Sequence, residues 1–345
     1  MKRSGKRVTI YDIAKELGIA PSSVSKALNN QPSVSARIKR LVQSKAQELD
    51  YKHNTHAANL RKGSSRTIGV IVPKINTSFF SSAISGMEEA CFENGHHLII
   101  CQSEESYIKE VQAIETLIQH NVDCIIISLS METKSTDHLE EIINQHINLI
   151  QFDRVDPKIK THTIVNDNKK ASYKAVKHLI DQGYTRIAML GGPDYLTIYK
   201  ERKDGYIKAI KEAGLNIPYN YIVDNVSTTE VSMQVAAQLL RSPVPPDAFF
   251  ASDYSALGIL KVANLMGIQV PGEIGIMGFA NEPFTELISP SLSSVDQKSR
   301  KLGKNAANIY FNYICKQNAA QPVKKQVIES SLIIRESSLK NGVVH

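Results

Sequence analysis

Apolar positions recur at two different spacings along this chain, and the change falls near residue 65. In the first stretch the spacing is helical. Ile13, Ala14 and Leu17 share one face of a short helix that Thr9 is placed to cap. Gly18 supplies a sharp turn. Pro21 fits the first position of a second helix, where its missing N–H costs nothing. On that helix Val24, Ala27 and Leu28 face one way, while Ser22, Lys26 and Asn29 face the other. Ser33-Val34-Ser35 reads as the cap of a third helix. Its apolar stripe is Ile38, Leu41, Val42, Ala46 and Leu49, and it ends near Asp50-Tyr51. A short small-residue-rich segment follows and closes at Gly63.

Beyond Thr67 strand-length apolar runs alternate with amphipathic windows. The runs are 68–72, 98–101, 124–127, 149–152, 187–190, 249–251 and 274–278. The helical windows lie around 80–94, 107–120, 137–145, 169–183, 200–213, 230–241, 254–266 and 298–315. Strands that are apolar at nearly every position have both faces covered, which means parallel sheets between layers of helix. The alternation runs past the usual size of one such sheet. It predicts an N-terminal all-α helix-turn-helix headpiece followed by an α/β core of two parallel-sheet lobes with a cleft between them.

Charge sharpens this division. Residues 1–65 hold 13 Lys and Arg against 4 Asp and Glu, a net +9, so with +7 for the whole chain the remaining 280 residues sum to −2. A basic small module on a near-neutral body is the footprint of a nucleic-acid binder with a separate sensory part. A short helix with an apolar back and a small-polar-plus-basic front suits the DNA major groove. Cys91, Cys101, Cys124 and Cys315 stand far apart with no C-x-x-C pair, and Cys101 and Cys124 sit in apolar runs. Buried free thiols in a reducing compartment are expected, and no metal site. No run approaches about 18 apolar residues, and the basic N-terminus precedes an amphipathic helix rather than a signal-peptide core, so a cytoplasmic protein without membrane contact is expected.

Enzymatic signatures are missing. There is no Gly-x-Gly-x-x-Gly after a strand, no phosphate loop, no Gly-x-Ser-x-Gly and no metal-spaced histidine cluster. Gly191-Gly192-Pro193 is too short a turn to cradle a pyrophosphate. No catalytic residue and no cofactor are expected. In open α/β lobes, ligands sit beyond the carboxyl ends of strands. The candidates there are Asn76, Phe79 and Phe80 after the first strand, Asp153 and Arg154 after the fourth, Arg202 near the Gly-Gly-Pro turn, and Ser252 and Asp253 after a second-lobe strand. Rings, carboxylates and an Arg fit a polyol, although the two Arg residues fit a phosphate or carboxylate equally well. Phe79 and Phe80 as plain core, Asp153-Arg154 as a structural ion pair and Asp253 as a helix cap are the competing readings.

The residues 8–29, Val34-Ser35, Tyr51 and Asn54, Leu60, 68–73, Phe79-Phe80, Asp153-Arg154, Asn166-Asp167-Asn168, Gly191-Gly192-Pro193, Arg202-x-x-Gly205, Ser252-Asp253, Gly278-Phe279 and 334–337 occur in one order. In that order the chain resembles the lactose-repressor/galactose-repressor (LacI/GalR) family of bacterial transcriptional regulators. The resemblance implies a periplasmic-binding-protein-like core, a homodimer, a pseudo-palindromic double-stranded DNA operator, and a small-molecule effector that controls operator affinity, with a carbohydrate favoured. It implies a headpiece over 1–52, a hinge helix and linker over 53–64, one core lobe over 66–166 plus 296–325, and the other over 167–293 plus 326–340. It puts base reading on Pro21, Ser22 and Lys26, and phosphate contact or capping on Thr9, Ser25, Asn29 and Ser35. Ser23, Asn54, Ala57 and Arg61 complete the expected DNA contacts, and Leu60 becomes a minor-groove wedge. Effector positions fall on Phe79, Phe80, Asp153, Arg202 and Ser252, with Asn281 added from the run after Gly278-Phe279.

Departures from the family pattern are informative. Lys26 stands where Arg is usual and loses the bidentate fork. Ala20 replaces a Ser cap, and His53 a common Pro. Ala280 replaces an acceptor Asp, and Val226 an aromatic lid. Leu196 and Ile198 occupy positions used elsewhere for purines, which disfavours a purine effector. A solute-binding protein without a DNA partner and an enzyme are the two alternatives weighed against this reading.

Overall fold

The computed structural model describes residues 8–51, 64–226, 228–315 and 324–340. Contacts divide the chain into two units, Met1–Ser65 and Arg66–His345.

In the first unit three helices surround a small core: α1 (Ile10–Leu17), α2 (Pro21–Leu28) and α3 (Ala36–Glu48). Ile13, Ala14, Val24, Ala27, Val42 and Ala46 form its centre. Burying a side chain such as Val24 contributes roughly 1.5–3 kcal/mol, so a handful of residues carries the module. Asp12 begins α1 by reaching back, its carboxylate accepting from the Thr9 N–H at 2.8 Å and the Thr9 hydroxyl at 2.7 Å. Gly18 ends α1 in the left-handed region at φ 65°, where a side chain would be strained. Pro21 opens α2 without a side-chain cap, and Ser35 caps α3 by accepting from the Ile38 N–H at 3.4 Å. Leu41, expected in the apolar stripe of α3, is instead 48% exposed. Among the described residues the buried part of the stripe is narrower than its sequence spacing implies, with Val42 and Ala46 at its centre.

The second unit holds two six-stranded sheets. The first has β1 (Thr67–Val72), β2 (His97–Gln102), β3 (Cys124–Ile127), β4 (Asn148–Phe152), β5 (His162–Asn166) and β11 (Lys325–Ile328), in the order β11-β5-β4-β3-β1-β2 and parallel throughout. Helices α4 (Ser78–Glu93), α5 (Tyr107–Gln119), α6 (Asp137–Asn144) and α11 (Ser299–Ile309) belong to it. The second sheet has β6 (Ile187–Leu190), β7 (Ile222–Val223), β8 (Ala248–Ala251), β9 (Gly275–Ala280), β10 (Ser293–Asp296) and β12 (Ser331–Ile333). Its order is β12-β10-β9-β8-β6-β7, with only β12 antiparallel. Helices α7 (Asn168–Asp181), α8 (Thr197–Glu212), α9 (Thr229–Leu240) and α10 (Asp253–Met266) complete this lobe.

The chain crosses between lobes three times, after β5, β10 and β11. One side chain ties the crossings together. The Asn166 amide donates to the Gln297 carbonyl at 2.8 Å and the Ile328 carbonyl at 3.3 Å. Beside it Asp167 accepts from the Ser330 N–H at 2.8 Å.

The apolar-run rule misses β5, β7, β10, β11 and β12. Strand β10 explains why: Ser293 and Ser294 are fully buried, yet each hydroxyl has a partner, Ser294 donating to Asp253 at 2.6 Å and Ser293 to the Arg335 carbonyl at 2.8 Å. A polar strand is as stable inside as an apolar one once its hydroxyls are satisfied. The window around 298–315 is an α-helix only to Ile309 and continues as a π-helical turn, Tyr310–Ile314. Helix α8 begins at Thr197, so Arg202 lies inside it rather than opening it. All four cysteines are free, but Cys101 is only half-buried, because β2 is an edge strand, and Cys315 is exposed. Among the described residues no helix is long and apolar enough to cross a membrane, and no group of His, Cys, Asp and Glu could hold a metal.

Candidate functional site

The outward face of α2 is the first candidate. With Val24 and Ala27 fully buried, helical geometry turns Ser22, Lys26 and Asn29 to solvent, and all three are exposed. Pro21, Ser23 and Ser25 are half-buried on the flanks, while Thr9 and Ser35 are exposed at the starts of α1 and α3. The Asn29 amide donates to the Ser25 carbonyl at 2.8 Å and so finishes α2. The face therefore offers hydroxyls for positioning and an ammonium that can donate to guanine O6 and N7. Sequence reading passed over Tyr11, whose ring is 69% exposed on α1, and the exposed Arg37 and Arg40 on α3. An aromatic at a helical surface position beside a basic module was the available signal. Asn54, Ala57, Leu60 and Arg61 lie outside the described residues.

A cavity of about 420 Å³ opens between the lobes of the core, at the carboxyl ends of both sheets. Seven of the nine expected effector residues line it: Asn76, Phe79, Phe80, Asp153, Arg154, Arg202 and Ser252. The Ser252 hydroxyl, however, caps α10 by accepting from the Ser255 N–H at 3.4 Å and donates to the Ser255 hydroxyl at 3.0 Å. Asp253 and Asn281 are not brought to the cavity. Asp253 is buried, accepting from Ser294 and from the Glu282 N–H at 2.7 Å, and burial raises its pKa to about 6. It is not the cap of α10 either, since Ser252 is. Asn281 turns away to accept from Arg335 at 3.0 Å.

Arg154 does not pair with its neighbour Asp153. It makes a bidentate pair with Glu105, at 2.6 and 3.2 Å, and its Nε is buried with no partner. Asp153 sits at φ 58°, a left-handed conformation that a non-glycine residue rarely holds, and is buried. Burial raises its pKa, against the pull of Arg154 and Arg202. Arg202 donates Nε to Asn168 at 3.0 Å and lays its guanidinium 3.8 Å from the Phe279 ring centroid. Burial holds its pKa below the usual guanidinium value. Phe79 and Phe80 meet edge to face at 5.0 Å and are both core and cavity wall. Glu105, Tyr199, Tyr254 and Glu282 also line the cavity and were not anticipated. Glu105 follows β2 as the other candidates follow their strands, and Tyr199 precedes Arg202 by three positions on one helix face, so both were findable. Behind Arg202 and Tyr199 lies a second chamber of about 70 Å³, walled by Met189, Leu190, Val226 and Phe250.

Hydrogen bonds join the lobes beside the cavity, among them Tyr195 donating to the Met131 carbonyl and Thr197 donating to the Val155 carbonyl at 3.2 Å.

Comparison with known proteins follows the same division of the chain into headpiece and core. Residues 9–54 match the model of bacterial regulatory proteins of the lacI family, and residues 176–338 match the periplasmic binding protein-like domain. The HTH-type transcriptional regulator DegA of Bacillus subtilis (strain 168) is 30% identical over 86% of this chain and 88% of its own length. The lac repressor dimer bound to operator and the anti-inducer ONPF superposes with a TM-score of 0.83 at 21% identity, covering 97% of this chain and all of that one. The regulator CelR in complex with cellobiose gives 0.72 at 24% identity, covering 96% of this chain and all of that one. Three-helix headpiece, two-lobed parallel-sheet core and whole-length similarity to regulators rather than enzymes lead to one conclusion: the chain belongs to the lacI family of bacterial regulatory proteins and is a DNA-binding transcriptional regulator.

Proposed function

We propose that this regulator is a homodimeric repressor that reads a pseudo-palindromic operator with α2 and is switched by an uncharged, polyhydroxylated effector, a sugar or sugar derivative, held between the lobes. The observation that carries the effector class is the charge balance of the cavity. Its lining cations, Lys74, Arg154 and Arg202, face four carboxylates, Glu105, Asp153, Glu230 and Glu282. The two terminal nitrogens of Arg154 are already held by Glu105, so no pair of open guanidinium forks waits for a phosphate. Hydroxyls match what remains: carboxylates to accept, Arg202 and Asn76 to donate, and ring faces for the C–H surfaces of a sugar. The apolar Leu196 and Ile198 offer nothing to the polar edge of a purine.

On the DNA side, Lys26 and Ser22 read base edges, with Thr9, Ser25, Asn29 and Ser35 on the phosphates. To residues 53–64, which but for Ser64 lie outside the described residues, falls the role of hinge, with Leu60 as wedge and Asn54, Ala57 and Arg61 as further DNA contacts. Effector occupancy changes lobe orientation, which orders or releases that hinge. Two α2 helices of a dimer then read half-sites about one helical turn apart. The reading assigns the cytoplasm as its place of action.

The test is a thermal-shift screen of the full-length protein against neutral sugars, sugar phosphates and nucleosides, followed by operator titration with and without the hit. A neutral sugar that raises the melting temperature and changes operator affinity is expected. A sugar phosphate or nucleoside that does so in its place overturns the effector class. Operator affinity that does not fall as salt rises overturns the DNA reading, because phosphate neutralisation dominates such binding.

A further inference from the structure

Helix α4 starts at the rim of the cavity, and its own N-cap residue leaves it unfinished. Thr77 makes no side-chain cap bond, and its buried hydroxyl oxygen has no partner. The acceptor comes from the opposite lobe. Glu282, in the loop after β9, accepts from the Ser78 N–H at 3.2 Å with one carboxylate oxygen and from the Phe79 N–H at 3.3 Å with the other. A helix of 16 residues carries partial positive charge and open N–H groups at its start, the place where a carboxylate is most favoured.

The second lobe is built to deliver this side chain. Ala280 at φ 137° and Asn281 at φ 56° hold conformations that L-residues rarely adopt, and they turn the chain so that Glu282 enters the cleft. Asp253 grips the turn by accepting from the Glu282 N–H at 2.7 Å. It comes so near β9 that a Cβ at Gly278 would lie 2.0 Å from its carboxylate oxygen. Arg335 holds Asn281 at 3.0 Å from the other side. Glu282 is only 4% exposed, and burial raises its pKa while the two N–H groups of α4 pull it down.

We propose that Glu282 is the closing residue of the cleft: its carboxylate, supplied by one lobe, fills the anion-binding start of α4 in the other, holds the lobes together without effector and bars a ligand's anionic group from that position. It is a positioning residue, since it acts through lobe geometry. The exclusion of anions rests on the reading of the cavity as the effector site. The closing role needs no ligand and can be tested alone.

The experiment measures the distance between spin labels at Ser85 on α4 and Lys208 on α8, both exposed, in the full-length protein without effector. Cys101 and Cys315 are replaced by Ser, and labelled protein is diluted with unlabelled. The parent protein gives one short distance. Glu282→Ala shifts the open-to-closed ratio on the order of tenfold. Glu282→Gln, which keeps the shape and one oxygen acceptor, shifts it less and supplies the readout if the Ala variant fails to fold. Unchanged distances in the variants overturn the proposal, and so does an opening in the Gln variant as large as that in the Ala variant. A failed ligand screen would leave these distances untouched, so the two readings fail separately.

Discussion

The headpiece and the inter-lobe cleft keep their functional groups in opposite ways. On the headpiece the bonds that shape the site are local: Thr9 to Asp12, Ser35 to Ile38 and Asn29 to Ser25 span three or four positions. The side chains proposed to meet DNA are left on the outside of a helix whose other face makes the core. In the cleft the groups that face the cavity are held by partners far away along the chain. Arg154 reaches Glu105 over 49 positions, Arg202 reaches Asn168 over 34, and Glu282 reaches Ser78 over 204. A surface reader can be rigid before it meets its target. A closing cleft has to store its polar groups in pairs until a ligand arrives, since an unpaired buried charge costs several kcal/mol.

The largest expected effect separates the two regions outright. Val24→Asp places an unpaired carboxylate in a core of six fully or nearly fully buried residues and should cost about 3–5 kcal/mol, enough to unfold a module of this size. Operator binding by fluorescence anisotropy should vanish while the calorimetric transition of the core stays in place. Loss of both transitions together would show that the two regions do not fold independently.

Next comes the pH response of the cleft's support. Asp253 ionises near pH 6 in the folded core, against an ordinary value of 3.8. A raised carboxyl favours folding fully below its unfolded value, and that contribution is lost as pH climbs through the folded value. Over the window from about 4 to about 6 the loss is about 3 kcal/mol. Asp253→Asn should remove this component, so core melting temperatures of variant and parent diverge across that window. Parallel curves would contradict the shift.

On the headpiece, Lys26→Ala should cost about 1–3 kcal/mol for the operator and much less for a scrambled duplex, if the ammonium reads a base edge. An equal loss on both duplexes would move Lys26 to the phosphates. The smallest change is Tyr195→Phe, which removes one inter-lobe bond at an exposed position and should cost about 0.5–1.5 kcal/mol of core stability by urea melting.

The same contrast explains what the sequence made legible. Helical spacing of Ile13 and Ala14, of Val24 and Ala27, and of Val42 and Ala46 placed the three headpiece helices, and the solvent face of α2 followed from it. Apolar runs placed the buried strands, such as β3 with its four buried positions. They could not place β10, whose serines are silent in hydropathy and speak only through hydrogen bonds. In the cleft, the rule that ligands lie after strand ends pointed to Phe79, Asp153 and Arg202, which line the cavity. It also pointed to Asp253 and Asn281, whose side chains are taken up by Ser294 and Arg335 instead. Which residue of the turn after β9 faces inward depends on the left-handed backbone at Ala280 and Asn281. Glu282 stayed unseen for the same reason. Its role exists only once a residue 204 positions away is brought beside it.

The amide of Asn166 has a consequence for how the core can move. With all three connections pinned at one side chain, sliding of one sheet past the other would tear that amide from both carbonyls, whereas swivelling about it leaves them intact. Displacement then grows with radius from the pin, like a door measured from its jamb. A change of a few degrees near Gln297 becomes a stroke of whole side-chain dimensions at the far edge of either lobe.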